Sequence, residues 1–168
     1  MRKDDQTLMV LDTNILIWGV LKPDKTPEEK EMTAKATAFL DKVCADKQPL
    51  AISMITVGEF LVCVPPEKRE EYANQLQKSF VILQYDLLAA MRSADICGTM
   101  FGKMKNSYRG CRAILRQDIQ ILGSAMAHGN VSAIVTEDGG FQALARHYLN
   151  VIGLPDNVPE QLELFDSK

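Results

Sequence analysis

Residues 8–14 read LMVLDTN, four apolar side chains in a row followed by Asp12, Thr13 and Asn14. An apolar run this short, without polar alternation, suits a strand buried on both faces, as in a parallel sheet. The acid then stands at the strand's carboxyl end. Working outward, 7–11, 50–53, 80–84, 131–136 and 150–153 are runs of the same kind, several of them rich in Val and Ile. Longer stretches at helical spacing lie between them, at 26–46, 55–64, 67–77, 86–105, 114–128 and 140–149. The first carries Pro27 and two glutamates where a helix should begin, 55–64 stops at Pro65 and Pro66, and 114–128 stops at Gly129 and Asn130. Strand and helix alternate, with one two-helix crossover. That order predicts an α/β fold, a central mainly parallel sheet of about five strands with helices on both faces.

Sites in such sheets lie outside the carboxyl ends of the strands, near the point where strand order reverses. Asp12 ends the first strand, with Thr13 and Asn14 placed to cap a helix that starts there. In SAIVTEDGGF (132–141), Thr136, Glu137 and Asp138 hold the equivalent position after the fourth strand. Neighbouring parallel strands run about 5 Å apart, so acids at both tips would face each other within reach of one divalent ion. Glu59, in ISMITVGEFL (52–61), is the lone charge between Pro49 and Pro66, and burying it is costly unless something positive pairs with it. Asp118, in ILRQDIQILGSAMAHG (114–129), opens a helix with no other charge up to Gly129 apart from His128.

Taken singly, Asp12 is an ordinary N-cap and Asp118 a favourable acid in a first helical turn. Taken together, four acids beside strand tips repel one another, and hard divalent cations with oxygen ligands offset that repulsion. Carboxylates holding Mg²⁺ or Mn²⁺ activate water and stabilise the charge that builds up in phosphodiester cleavage. Zinc fits less well, because His128 and His147 fall at a helix end and on another helix, with no matching His/Cys spacing.

Composition bounds the rest. The 168 residues, 46% hydrophobic and 24% charged, predict one soluble domain with a proper core. No apolar run approaches a membrane span, and the LMVL run is far shorter than a secretory signal core, so a cytoplasmic protein is expected. Cys44, Cys63, Cys97 and Cys111 show no C-x-x-C spacing and are expected to be buried free thiols. The net charge of −3 argues against binding nucleic acid through general positive charge. It is unevenly spread, however. No acid lies between Asp95 and Asp118, whereas Lys103, Lys105, Arg109, Arg112 and Arg116 do, with Phe101 and Tyr108 among them. Basic and aromatic residues leading into a candidate catalytic acid suit a phosphate-backbone substrate. The G-x-x-x-G of Gly98 and Gly102 is expected to pack closely against another helix.

VLDTNILIW, the isolated acid of ITVGEFL, RQDIQILGSAMAHG and IVTEDGGF resemble, in order and spacing, the four acidic motifs of PIN-domain ribonucleases, particularly VapC-like toxins of toxin–antitoxin pairs. The resemblance runs from about Leu8 to Phe141. It implies a PIN-like nuclease domain, taken as a single one over 1–154, while the two prolines and mostly polar residues of 155–168 read as a tail or edge arm. It further implies a Mg²⁺- or Mn²⁺-dependent endoribonuclease of single-stranded RNA, an antitoxin partner and a homodimer. By motif position Asp12, Glu59, Asp118 and Asp138 match the metal-binding carboxylates, while Asn14 and Thr136 match polar residues that support them. The chain is longer than a minimal toxin, around 22–46 and in the tail. A non-catalytic PIN-fold module that binds RNA or protein is the alternative, disfavoured by retention of four repulsive acids. A phosphotransfer enzyme with Asp12 as nucleophile would want Asp at position 14, where Asn stands, and a Lys near Asp138.

Overall fold

The computed structural model describes residues 7–103 and 112–156, and for 100–103 and 112–116 the backbone alone. Its five strands are β1 (Leu8–Leu11), β2 (Leu50–Ser53), β3 (Val81–Leu83), β4 (Val131–Val135) and β5 (Asn150–Ile152). All pair in parallel, in the order β3-β2-β1-β4-β5. The helices are α1 (Thr13–Leu16), α2 (Pro27–Ala45), α3 (Met54–Val62), α4 (Arg69–Ser79), α5 (Leu87–Lys103), α6 (Arg112–His128) and α7 (Gly139–Ala145). Three crossovers, rather than the one expected, carry a helix pair: α1 with α2, α3 with α4, and α5 with α6.

Strand residues point alternately to the two faces, and each face is covered. Val10, Ala51 and Ile134 join Ile96, Ile119, Leu122, Phe141 and Leu144 on the side of α5, α6 and α7. Their neighbours Leu11, Ile52 and Val135 join Ile15, Phe39, Val43, Phe60 and Leu76 on the side of α1 to α4. Continuous apolar strands follow from this double burial, as the quoted runs predict. α2 begins with a full capping box between Thr26 and Glu29 behind Pro27 at its first turn. The segment behind α1 departs from regular helix: Ile17–Leu21 forms one π-helical turn that ends at Lys22 in the left-handed region, φ 51°.

Of the two glycines expected to pack closely, Gly98 does not, and the surroundings of Gly102 lie outside the described residues. A Cβ on Gly98 would meet nothing within 4 Å, whereas one on Gly123 of α6 would come within 2.2 Å of Ser93 Oγ and 2.8 Å of the Ala89 carbonyl on α5. Gly123 therefore sets the α5–α6 distance. Cys44 and Cys63 are free but exposed, and Cys97 is half-buried, so the expectation of buried thiols fails for the first two; Cys111 lies outside the described residues. Both Cys44 and Cys63 sit at helix ends, where the chain turns toward solvent. No described helix is long and apolar enough to cross a membrane.

The strand order reverses between β1 and β4, from which the chain proceeds outward in both directions. Leu11 is in register with Val135, which places Asp12 and Thr136 side by side at the carboxyl edge of that reversal.

Candidate metal centre

Asp12 caps α1, its Oδ1 accepting the Thr13 N–H at 2.7 Å. The cap is thus the acid itself. Asn14, expected to cap, lies exposed in the first turn of α1, with no side-chain hydrogen bond among the described residues. Asp12 Oδ2 accepts the Thr136 hydroxyl at 2.7 Å, and the same hydroxyl oxygen accepts the Asp138 N–H at 3.0 Å. Asp138 in turn caps α7 through the Phe141 N–H at 2.7 Å, and a Cβ on Gly140 would press within 3.1 Å of its carboxylate. Glu59 reaches over from α3 and accepts the Thr13 hydroxyl. One line of hydrogen bonds therefore runs from the Asp138 backbone through Thr136 and Asp12 to Thr13 and Glu59.

Asp118 faces this line from α6. It sits two turns into the helix, which starts at Arg112, so a first-turn dipole does not account for it. Among the described residues no donor reaches its carboxylate, and its pKa is pushed up to about 7, first by burial and then by the charges of Asp12, Asp138 and Glu59. Asp12 is also raised, by burial above all and by Glu59 and Asp138, although its hydrogen bonds from Thr136 and Thr13 oppose the shift. The four acids from β1, α3, α6 and the end of β4 thus share one field. No Lys, Arg or His among the described residues forms an ion pair with any of them. Nor, among those residues, does any group of three or more Asp, Glu, His or Cys side chains stand where it could hold a metal ion as placed.

The donor set is all oxygen and anionic, and among the described residues only hydroxyl and backbone N–H donors, with no cationic side chain, oppose the repulsion within it. That chemistry fits a hard divalent cation such as Mg²⁺ or Mn²⁺. It does not fit zinc, since His128 and His147 are exposed, at the end of α6 and beyond α7. Glu137 turns away from the acids to accept the Leu154 N–H. Of the basic residues read as RNA contacts, Lys105 and Arg109 lie outside the described residues, and Lys103, Arg112 and Arg116 are described by backbone alone at the facing ends of α5 and α6. Thr13 is the residue whose place in the site the sequence concealed, because a hydroxyl after an acid reads as a helix cap.

The architecture has solved counterparts. A chain of VapBC2 from Rickettsia felis, in a complex bound to a promoter DNA fragment, superposes with a TM-score of 0.59 at 16% identity, over 88% of this chain and 99% of that one. VapBC-1 from nontypeable Haemophilus influenzae gives 0.58 at 15%, over 87% and 97%, and DNA-bound VapBC from Salmonella typhimurium 0.56 at 18%, over 88% and 98%. The chain has a VapC-like PIN fold. No protein-family model matches the sequence, and no curated protein does. At such low identity it is the PIN-like architecture that is shared. The neighbour chains are spanned almost whole, and the shared architecture covers 88% of this chain.

Proposed function

We propose that the chain is a metal-dependent endoribonuclease that hydrolyses phosphodiester bonds of single-stranded RNA, and that it serves as the toxin of a cytoplasmic toxin–antitoxin pair. The observation that carries this reading is the convergence of four carboxylates, with no cationic partner among the described residues, at the switch point of a parallel sheet, where such folds place their chemistry. Asp12, Asp118 and Asp138 would hold Mg²⁺ or Mn²⁺, with Glu59 completing the site and orienting the attacking water. The bound ion supplies an activated water and offsets the charge that develops on the phosphate. Thr136 keeps Asp12 ionisable by donating to it in a buried setting. Lys103, Lys105, Arg109, Arg112 and Arg116 would supply the backbone contacts that bring RNA to the acids. An antitoxin partner is supported by the neighbours being VapBC complexes, and a homodimer is proposed with it.

Cleavage of a single-stranded RNA oligonucleotide tests the reading. Strand scission is expected with Mn²⁺ or Mg²⁺ and none with EDTA. Binding of RNA without scission under every metal condition would instead support the non-catalytic module.

A further inference from the structure

We propose that Thr13 is the positioning residue of this centre, holding the Glu59 carboxylate beside Asp12; the inference rests on the metal-dependent reading above. Thr13 makes two bonds of different kinds to two different acids. Its backbone N–H donates to Asp12 Oδ1 at 2.7 Å, and its hydroxyl donates to Glu59 Oε2, forty-six positions along the chain. With Asp12 served by the N–H, the single hydroxyl proton is left for Glu59.

Glu59 needs such a hold. It is half-buried on α3, within the field of Asp12 and Asp118, and among the described residues no other donor reaches it. Its side chain has three rotatable bonds and an exposed neighbour in Gly58, so without a partner the carboxylate has water-facing conformations open to it. α3 itself is fixed at the tip of β2 by Ser53, whose hydroxyl accepts the Thr56 N–H at 3.0 Å. The helix is therefore anchored, and Thr13 fixes the remaining freedom, that of the side chain. A β-branched residue suits the task because its χ1 is restricted. Thr136 does the same for Asp12 from the neighbouring strand, so two threonines, one after β1 and one after β4, each orient the acid beside them.

Calorimetric titration of Mn²⁺ into the full chain tests this, using Thr13→Val, Thr13→Ser, Glu59→Gln and the Thr13→Val/Glu59→Gln pair, with thermal unfolding in EDTA to verify folding. Loss of a group that orients a ligand typically weakens metal binding by tenfold or more, so Thr13→Val is expected to cost about tenfold and Thr13→Ser less than about twofold. In the Glu59→Gln background Thr13→Val should cost nothing further, because its effect passes through Glu59. An equal cost in both backgrounds, or Thr13→Val binding like wild type, overturns the positioning role. A wild-type chain that binds no Mn²⁺ overturns the metal reading and this inference together. Should Thr13→Val unfold, Thr13→Ala takes its place with the same expected outcomes.

Discussion

Asp12→Asn is expected to lower metal-dependent RNA cleavage on the order of a thousandfold, because it removes a carboxylate that would hold the ion offsetting the developing charge. The chain should stay folded. Asn is as good an N-cap as Asp, and its side-chain oxygen can keep the Thr13 N–H bond that starts α1. Asp12 is 6% exposed, its charge is disfavoured by burial and by Glu59 and Asp138, and the amide removes that charge. Unfolding temperature in EDTA should therefore be unchanged or higher. The combination separates chemistry from architecture: a variant that loses cleavage by unfolding would make Asp12 a structural cap, and one that keeps cleavage would remove it from the reaction.

Phe141→Ala is expected to be among the substitutions costliest to stability. Its ring is fully buried against the α6 and α7 side of the sheet, and truncating a buried Phe typically costs about 3–5 kcal/mol in lost transfer and cavity formation. At this chain length that corresponds to a fall in unfolding temperature of about 10 °C. Phe141 also donates its N–H to Asp138 Oδ1, so the same residue that fills the core seats an acid of the site. Thermal unfolding of the variant checks the first effect. A loss below about 1 kcal/mol would mean that α7 is not anchored by this ring.

The fold was legible because double burial leaves an unmistakable trace: Val10-Leu11, Ala51-Ile52 and Ile134-Val135 are all apolar, and each pair splits between the two faces of the sheet. Strand ends erred by a residue or so, since 50–53 is matched in full while 80–84 shrinks to Val81–Leu83. Asp12 and Asp138 were visible by the rule that chemistry follows strands. What the sequence hid was orientation within helices. Asp118 reads as a first-turn acid, but helix already described from Arg112 moves it inward, and the tight glycine of the α5–α6 contact is Gly123 because spacing alone does not say which face of a helix meets its neighbour. Asn14 was misplaced for a related reason. Two hydrogen-bonding residues follow Asp12, and the acid does the capping, which leaves Thr13 free for Glu59 and Asn14 exposed.

The most direct test is unfolding temperature across pH, with EDTA and with Mn²⁺. An unfolded Asp titrates near 4, whereas Asp118 in the fold is raised to about 7, so the folded state binds the extra proton between those values. Without metal, that stabilising contribution is fully present below about pH 4 and is lost as pH rises through about 7. A bound divalent ion requires the deprotonated carboxylates, so its stabilisation should grow over the same interval. The predicted result is a small Mn²⁺-induced rise in unfolding temperature at pH 5 and a large one at pH 8, both absent in Asp118→Asn. An unfolding temperature that Mn²⁺ leaves unchanged at pH 8 would contradict the claim that these four acids form a cation site.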